Sequence, residues 1–281
     1  MEVKIKRLTS VLFLLTLLFL TTCVSTNDNA ADSITFKTPS HVKADWHKLN
    51  SYADTFDFYI QEPLALCHGI KIDLQNPSLV IEPFPYLTSF PDPQISASKL
   101  SETCDILINT TPYFSKSPLS SKKAAGITQS HKIRYSNPLS RYAALALYKT
   151  AGGYEAKIFK SQSDIPEYSE AESENLTALH GGFWQILENG NIIEFQDIKD
   201  SRTACGISKD GRFLYILAVE GEVKAWSEGL NYQQCAEIFK AFGCQNAMEF
   251  DGGSSTTLYI NQKNALSYYK NPSLPAFLCF K

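Results

Sequence analysis

Short segments of alternating apolar and polar residues, separated by turn residues, dominate the chain. Gly152-Gly153, Asn189-Gly190 and Asp210-Gly211 each separate two such segments, which predicts three β-hairpins. The predicted strand pairs are Tyr142–Lys149 with Tyr154–Phe159, Phe183–Leu187 with Ile192–Phe195, and Thr203–Ser208 with Arg212–Val219. Further strands are predicted at Leu64–Leu74 and Ser78–Pro83, paired around Asn76-Pro77, and at Ile106–Asn109.

One stretch near the C-terminus has helical rather than alternating spacing. Asn231 suits an N-cap, Gln234 completes a capping box, and Gly243 suits the C-terminal end. The apolar positions of this helix are Cys235, Ile238, Phe239 and Phe242, and strands Ala247–Phe250 and Thr256–Ile260 follow it. Hairpins with a few helices predict an α+β fold: a large mixed or antiparallel β-sheet with packed helices, in a single domain.

The N-terminus has the pattern of an export signal. Lys4, Lys6 and Arg7 precede the mainly apolar run Leu8–Leu20, which is too short for a comfortable membrane span. Leu20-Thr21-Thr22-Cys23 resembles a loose bacterial lipobox, so we expect a signal peptide at 1–22 and lipidation of Cys23. A secretory peptide cut nearby is the alternative.

The expected domain organisation follows from this signal. Residues 23–40 are predicted to be a flexible tether, and residues 41–281 a single domain. In the lipobox interpretation the protein is exported and lipid-anchored at the bacterial cell envelope, on the periplasmic or surface face. The lipid would then be its only contact with the membrane.

Charge and cysteine content narrow the class of protein further. The 281 residues carry 26 Lys+Arg and 29 Asp+Glu, without the basic excess of a nucleic-acid-binding protein. Six cysteines follow Cys23, an even number that permits disulfides in an exported protein. Cys205 and Cys279 lie in apolar runs, which favours buried free thiols, and bridging stays open. Cys235 and Cys244 flank the predicted helix and are too far apart to pair.

The segment EFDGGSST, residues 249–256, is the strongest candidate for chemistry. An apolar strand ends in carboxylates, and Gly252 and Gly253 permit close approach of a ligand to the backbone. With Ser254, Ser255 and unpaired N–H groups, the turn is predicted to form an oxyanion or phosphate nest beside Asp251. The alternative is a tight turn capped by the aspartate.

Two other segments carry candidate polar groups. Arg202 precedes an apolar strand and is able to clamp a phosphate, and Glu220 ends the next strand as a candidate catalytic carboxylate. His180 precedes Gly181-Gly182 in LHGGFW, another predicted close-approach turn. A surface arginine, a solvated turn glutamate and a hydrogen-bonded structural histidine are the respective alternatives.

Together these segments resemble the phosphodiester glycosidase family. The resemblance is carried by RTACGISKDGRFLYILAVEG, GLNYQQCAEIFKAFGC and NAMEFDGGSSTTLYIN, and upstream by HGIKIDLQNPSL, CDILINTTPYF and AAGI. It spans about residues 60–262 and is most specific in its C-terminal half. Three departures from the family pattern involve four positions. Thr110 and Thr111 replace two glycines after Asn109, Glu220 replaces an aspartate, and Glu249 replaces Asn or Gln.

The resemblance implies hydrolysis of a sugar-1-phosphodiester at its glycosidic bond. It assigns Arg202 and the turn Gly252–Ser255 to the phosphate, and Asp251 and Glu220 to carboxylate chemistry. Asn109, Thr203 and His180 are secondary substrate contacts. Glu249 is a further carboxylate near Asp251, unless it points to the far side of the strand.

A phosphorylated carbohydrate is therefore the expected partner, and no cofactor is implied. A divalent ion held by Asp251 and a neighbour stays open. Two alternatives also stay open: a non-catalytic surface lipoprotein that binds a phosphorylated glycan or a host ligand, and a glycan phosphodiesterase of different bond preference.

Overall fold

The structure, a computed structural model, describes residues 32–34, 45–86, 93–117, 120–167 and 174–281. Its described helices include α1 (Ala97–Ser101) and α2 (Tyr232–Ala241). The strands are β1 (Asp32–Ile34), β2 (His47–Lys48), β3 (Ala53–Gln61), β4 (Leu64–Asp73), β5 (Ile81–Phe84), β6 (Ile95–Ser96), β7 (Ile106–Asn109), β8 (Tyr113–Phe114), β9 (Lys123–Ala124), β10 (Thr128–Ser130), β11 (Ile133–Ser136), β12 (Ala144–Thr150), β13 (Gly153–Phe159), β14 (Leu176–Gly181), β15 (Gln185–Glu188), β16 (Asn191–Ile192), β17 (Arg202–Ser208), β18 (Phe213–Val219), β19 (Cys244–Glu249), β20 (Leu258–Ile260), β21 (Lys263–Asn264), β22 (Ser273–Leu274) and β23 (Phe277–Phe280).

Most of these strands belong to three sheets. The main sheet has the order β1-β3-β4-β18-β17-β19-β15-β16, with β2 also paired to β3. The second sheet has the order β11-β10-β14-β12-β13, and the third β21-β20-β7-β23-β5. The pairing of β1 with β3 is parallel, whereas the other neighbours in the main sheet are antiparallel.

The main sheet is buried on both faces. One face, the inner face, packs against the other two sheets in a core that includes Ile70, Ile108 and Leu145. The opposite face, the helix face, packs against α2 in a core that includes Leu217 and Phe239. Residues Asp32–Lys281 form one unit. The predicted α+β single-domain fold is therefore confirmed.

Helix α2 begins and ends as the sequence predicts. The Asn231 side chain accepts a hydrogen bond from the backbone N–H of Gln234, whose own side chain accepts from the N–H of Asn231. This capping box satisfies two N–H groups that have no partner within the helix. Gly243, just past the end, has a φ of 84°, which glycine adopts at little cost.

The three predicted hairpins are confirmed as β12–β13, β15–β16 and β17–β18. The predicted pairing of Leu64–Leu74 with Ser78–Pro83 is wrong. Strand β4 pairs with β3 and β18 in the main sheet, whereas β5 pairs with β23 in the third sheet. The turn at Asn76 thus passes the chain from one sheet to another, and the prediction missed β3.

Among the cysteines that the structure describes, one pair is bridged. Cys104 and Cys279 form a disulfide with a Cα–Cα distance of 5.5 Å, which connects the end of α1 to β23. The expectation that Cys279 is a free thiol is therefore wrong, because β23 lies beside the residues that follow α1. Cys67, Cys205, Cys235 and Cys244 are free and buried.

The predicted signal peptide and Cys23 lie outside the described residues, as does most of the predicted tether 23–40. Three tether positions are described: Asp32–Ile34 forms β1 and extends the main sheet by pairing with Phe58–Ile60. Backbone pairing at a free sheet edge gives this short segment an extended conformation. No helix in the described ranges is long and apolar enough to cross a membrane.

Candidate active site around the Asp251 turn

The candidate site lies where β17 begins and β19 ends. Asn109, the last residue of β7, connects three segments there. Its carboxamide oxygen accepts from the Thr203 hydroxyl at 2.8 Å and from the Thr257 N–H at 2.9 Å, and its Nδ2 donates to the Asp251 carbonyl at 2.7 Å. Asn109 and Thr203 are fully buried. The structure therefore gives these two predicted substrate contacts a positioning role under the turn.

Asp251 is the half-buried carboxylate of this turn. Burial raises its pKa to about 6, although the Ser255 side chain, Lys122 and the Gly252 N–H favour the charged form. Its own N–H donates to the carbonyl of Thr110 at 2.8 Å, which joins the turn to the end of β7. A carboxylate with this pKa is able to take up or release a proton near neutral pH.

Sequence reasoning missed Lys122. Its ammonium group acts on the charge of Asp251 and lies 4.5 Å from the centroid of the Tyr113 ring. The side chain is half-buried shortly before AAGI, and its charge favours the ionised form of the candidate carboxylate. A lysine in a loop has no periodic pattern, and its closeness to the AAGI motif was the available signal.

Three N–H groups of the turn that was predicted to form a nest are bonded to backbone carbonyls. The N–H groups of Gly253, Ser255 and Thr256 donate to the carbonyls of Ser201, Gly252 and Gly253, at 2.8, 3.1 and 3.1 Å. A Cβ on Gly252 would lie 2.6 Å from the Ser201 carbonyl oxygen, and Gly253 has a φ of 55°. The glycines therefore permit close contact with the start of β17, and Ser254 is the exposed member of the turn.

Glu220 is fully buried and engaged by other residues. Its carboxylate contacts His68 Nε2 at 2.9 Å and accepts from the Ser267 N–H at 2.7 Å and from the Ser267 hydroxyl. Burial opposes its charge, but His68 and Ser267 outweigh burial and lower its pKa. The expected catalytic carboxylate is thus held in an internal network that attaches the loop at Ser267 to the main sheet.

His68, which showed no ligand spacing in the sequence, is the centre of that network. Its Nδ1 lies 3.0 Å from Asp57 Oδ1, so the ring bridges two carboxylates. Burial lowers its pKa, but the hydrogen bonds and charges of Asp57 and Glu220 raise it overall to about 9. His68 is therefore an imidazolium at neutral pH.

Arg202 and Glu249 were predicted to act beside Asp251, but they point to the helix face. Along β17, Thr203 faces inward and Arg202 faces α2, and Glu249 lies opposite Ala204 on the same helix face. Arg202 Nε donates to the Leu230 carbonyl at 2.8 Å. The guanidinium carbon lies over the Tyr232 ring, 4.3 Å from its centroid. The strand's two-residue periodicity is the reason for this separation.

Glu249 is a buried carboxyl without hydrogen-bond partners among the described residues. Burial raises its pKa to about 7, against the opposing influence of Arg202 and of the Cys235 thiol. The expected second carboxylate near Asp251 is thus a separate group on the other face.

His180 lies in the interior behind the turn. Its Nδ1 is 2.8 Å from the Thr110 hydroxyl, and Nε2 has no hydrogen-bond partner within the described residues. Burial lowers the pKa of His180 to about 3, so the ring is neutral. Thr110 and Thr111 are buried and fill the position where the family has two glycines. A role for His180 as a substrate contact stays a prediction.

A cavity of about 730 Å³ opens on the helix face beside Arg202. It is lined by Trp184, Glu194, Phe195, Gln196, Ile198, Arg202 and Tyr232. In the described part of the chain, no three His, Cys, Asp or Glu side chains gather as metal ligands.

Comparison with known proteins identifies the class. The sequence model of the phosphodiester glycosidase family matches residues 103–277, more than half of the chain. The match places the chain among glycosidase-type hydrolases. Within that class, the chain belongs to the phosphodiester glycosidase family. No curated protein sequence matches it.

Solved structures share the fold. The catalytic domain of zebrafish N-acetylglucosamine-1-phosphodiester alpha-N-acetylglucosaminidase, auto-inhibited by its pro-peptide, is 18% identical with a TM-score of 0.61, over 83% of this chain and 84% of that chain. A hypothetical protein from Synechocystis is 12% identical with a TM-score of 0.58, over 84% of this chain and 63% of that chain. At these identities the likeness concerns the fold alone.

Proposed function

We propose that the protein hydrolyses the glycosidic bond of a sugar-1-phosphodiester, with Asp251 as the reacting carboxylate. The observation that carries the proposal is the half-buried carboxylate of Asp251 in a turn that Asn109 and Thr110 hold through its backbone. Burial raises the pKa of Asp251 to about 6, and the charge of Lys122 acts on it. Family membership supplies the reaction class. The substrate is a phosphorylated carbohydrate of a cell-envelope or extracellular glycan.

The chemistry suits these two groups. A phosphate monoester is a good leaving group, so its departure needs little general-acid help. Lys122 binds the anionic phosphate as a point charge. Ionised Asp251 faces the sugar and stabilises the positive charge that grows on the ring, as a nucleophile or by activating water.

Asp200 is the second carboxylate at this turn. Its Oδ1 accepts from the Ser201 N–H at 2.8 Å, and its Oδ2 would lie 3.3 Å from a Cβ added at Gly253. Since Glu220 is occupied by His68 and Ser267, we assign to Asp200 the carboxylate role that the family pattern gave to Glu220. The separation of the Asp200 and Asp251 carboxylates then decides between retention and inversion.

The test is hydrolysis of synthetic methyl phosphodiesters of N-acetylglucosamine, glucose and mannose 1-phosphate by the purified chain. Free reducing sugar is the expected product, and Asp251→Asn and Lys122→Ala should each lower its rate at least tenfold. Lys99→Ala, an exposed lysine on α1, is the matched control and should keep full activity. Full activity of Asp251→Asn would overturn the proposal.

A non-catalytic binding function is the second candidate. Buried Thr110 and Thr111 fill the place of two family glycines, and the Glu220 carboxylate is engaged. Binding of all three diesters without turnover, weakened by Lys122→Ala, would establish this function instead. Release of sugar phosphate rather than free sugar would indicate the third candidate, a phosphodiesterase of different bond preference.

We also propose export and lipid anchoring through Cys23. The support is the positive segment, the apolar run Leu8–Leu20 and the lipobox-like Leu20–Cys23. Metabolic labelling with an alkyne fatty acid in a bacterial host should label the wild type and not Cys23→Ser. Equal labelling of both proteins would contradict the anchor.

A further inference from the structure

The cavity beside Arg202 is separate from the proposed hydrolytic site. Its lining residues lie on the helix face of the main sheet, whereas Asp251 contacts Thr110 at the end of the third sheet. The backbone at the start of β17 lies between the cavity and the Asp251 turn. The turn packs directly against this backbone, since a Cβ on Gly252 would lie 3.7 Å from the Arg202 Cα. The hydrolytic reaction therefore leaves this cavity unexplained.

Three aromatic rings give the cavity a fixed apolar wall. The Trp184 and Phe195 centroids are 6.4 Å apart, and the Phe195 ring meets the Tyr232 ring edge-on at 5.4 Å. Trp184 is in turn held edge-on by Tyr142 at 5.3 Å. Such contacts restrict the rings before any ligand arrives, which lowers the entropy cost of binding.

Polar side chains complete the lining. Arg202 is 7% exposed, and its guanidinium is fixed by the carbonyls of Leu230 and Ile198, which use two of its five N–H donors. Gln196 and Glu194, both exposed, add an amide and a carboxylate at the rim. The cavity therefore offers donors and acceptors beside its aromatic wall.

The charges of the lining favour an uncharged ligand. Arg202 and Glu194 contribute one charge of each sign, and the buried carboxyl of Glu249 lies behind Arg202. An anionic group such as phosphate would meet the Glu194 carboxylate as well as the guanidinium, so the lining offers it no net positive charge. An uncharged ligand rich in hydroxyl groups meets no such repulsion.

We propose that this cavity is an accessory carbohydrate-binding site that takes a neutral pyranose unit of a glycan. The apolar C–H face of a pyranose packs on aromatic rings, and its hydroxyl groups match Arg202, Gln196 and Glu194. A volume of about 730 Å³ is in the range of small-molecule sites and accommodates a disaccharide-sized segment. The site binds glycan independently of bond cleavage at Asp251.

The test is calorimetric titration of the purified chain with three neutral tetrasaccharides: chitotetraose, cellotetraose and mannotetraose. At least one should bind, and Phe195→Ala should weaken its binding about tenfold, the loss expected when one ring contact is removed. Phe213→Ala is the matched control, because Phe213 is a half-buried aromatic residue outside the cavity, at the other end of β17 and β18. It should bind like the wild type.

Two further variants separate this proposal from the hydrolytic one. Asp251→Asn should bind the tetrasaccharide unchanged, and Gln196→Ala, at an exposed position, should weaken binding without loss of thermal stability. Failure of all three tetrasaccharides to bind at millimolar concentration would overturn the proposal. So would equal binding by the wild type and Phe195→Ala. Neither result bears on hydrolysis at Asp251.

Discussion

The Thr203 hydroxyl donates to the Asn109 carboxamide oxygen at 2.8 Å, although 94 residues separate them in the sequence. The bond joins the third sheet to the main sheet directly below the Asp251 turn. The same asparagine donates to the Asp251 carbonyl, so the position of the carboxylate depends on a buried amide.

Replacement of this amide should therefore affect both stability and activity. Asn109→Ala removes three hydrogen bonds and leaves the Thr257 N–H without its buried acceptor. We expect a loss of about 2–4 kcal/mol in the free energy of unfolding, measured by urea denaturation. Asn191→Ala, at an exposed position, should change it by less than about 0.5 kcal/mol. Equal effects of the two substitutions would contradict the role of Asn109.

The pH dependence of hydrolysis should report the ionisation of Asp251. Its pKa is raised from 3.8 to about 6, and the proposed reaction needs the charged form. The rate at low substrate concentration should thus fall as the pH drops below about 6. A pH profile of kcat/KM for one of the methyl phosphodiesters checks this. A rate that instead rises as the pH drops through 6 would assign Asp251 as a general acid.

Lys122 should shift that profile. Its positive charge lowers the pKa of Asp251, so Lys122→Ala should move the acidic limb to higher pH as well as weaken phosphate binding. Lys99→Ala should leave the limb in place. A Lys122→Ala enzyme with lower activity and an unmoved limb would limit Lys122 to phosphate binding.

Local signals in the sequence predicted much of the fold. The hairpins and α2 were found because Asn189-Gly190, Asp210-Gly211 and the Asn231 capping box encode their geometry within a few residues. The pairing of β5 with β23 has no local signal, since Phe84 lies opposite Phe277, far along the chain. The prediction therefore paired β5 with its neighbour in sequence.

The candidate site was predicted in part for the same reason. The residues Asn109, Thr203 and Asp251 meet because Asn109 ends a strand, Asp251 follows the end of one and Thr203 lies at the beginning of one, and the sequence shows all three strands. The direction of Arg202 depends on strand register, where a difference of one residue exchanges the two faces. The engagement of Glu220 depends on His68 and Ser267, which lie in separate segments and have no local sequence signal for this contact.

The His68 network should make stability depend on pH. The pKa of His68 is about 9 in the folded protein against 6.5 as an ordinary value. Its contribution is therefore fully present below pH 6.5 and is lost as the pH rises through 9, about 3 kcal/mol in all. His68→Gln should remove this dependence in urea denaturation between pH 6 and 9.5. His47→Gln, an exposed histidine, should preserve it, and a wild type without the decline would refute the charged assignment.

Glu249 should give a pH dependence on the acid side. Its pKa is raised from 4.5 to about 7, so the folded protein binds this proton more tightly than the unfolded chain. Its contribution is full below pH 4.5 and is lost as the pH rises through 7. Glu249→Gln, which carries no ionisable proton, should therefore gain about 3 kcal/mol relative to the wild type between pH 4 and pH 8.

The prediction concerns how the stability difference between Glu249→Gln and the wild type changes from pH 4 to pH 8. An effect of the introduced amide on packing is the same at both pH values and therefore cancels. Glu155→Gln, at an exposed position, is the matched control and should show no such gain. A stability difference between Glu249→Gln and the wild type that is the same at pH 4 and pH 8 would mean that the carboxyl is ionised at both. The Arg202 guanidinium would then neutralise Glu249 fully, and the lining of the cavity would carry a net negative charge with Glu194.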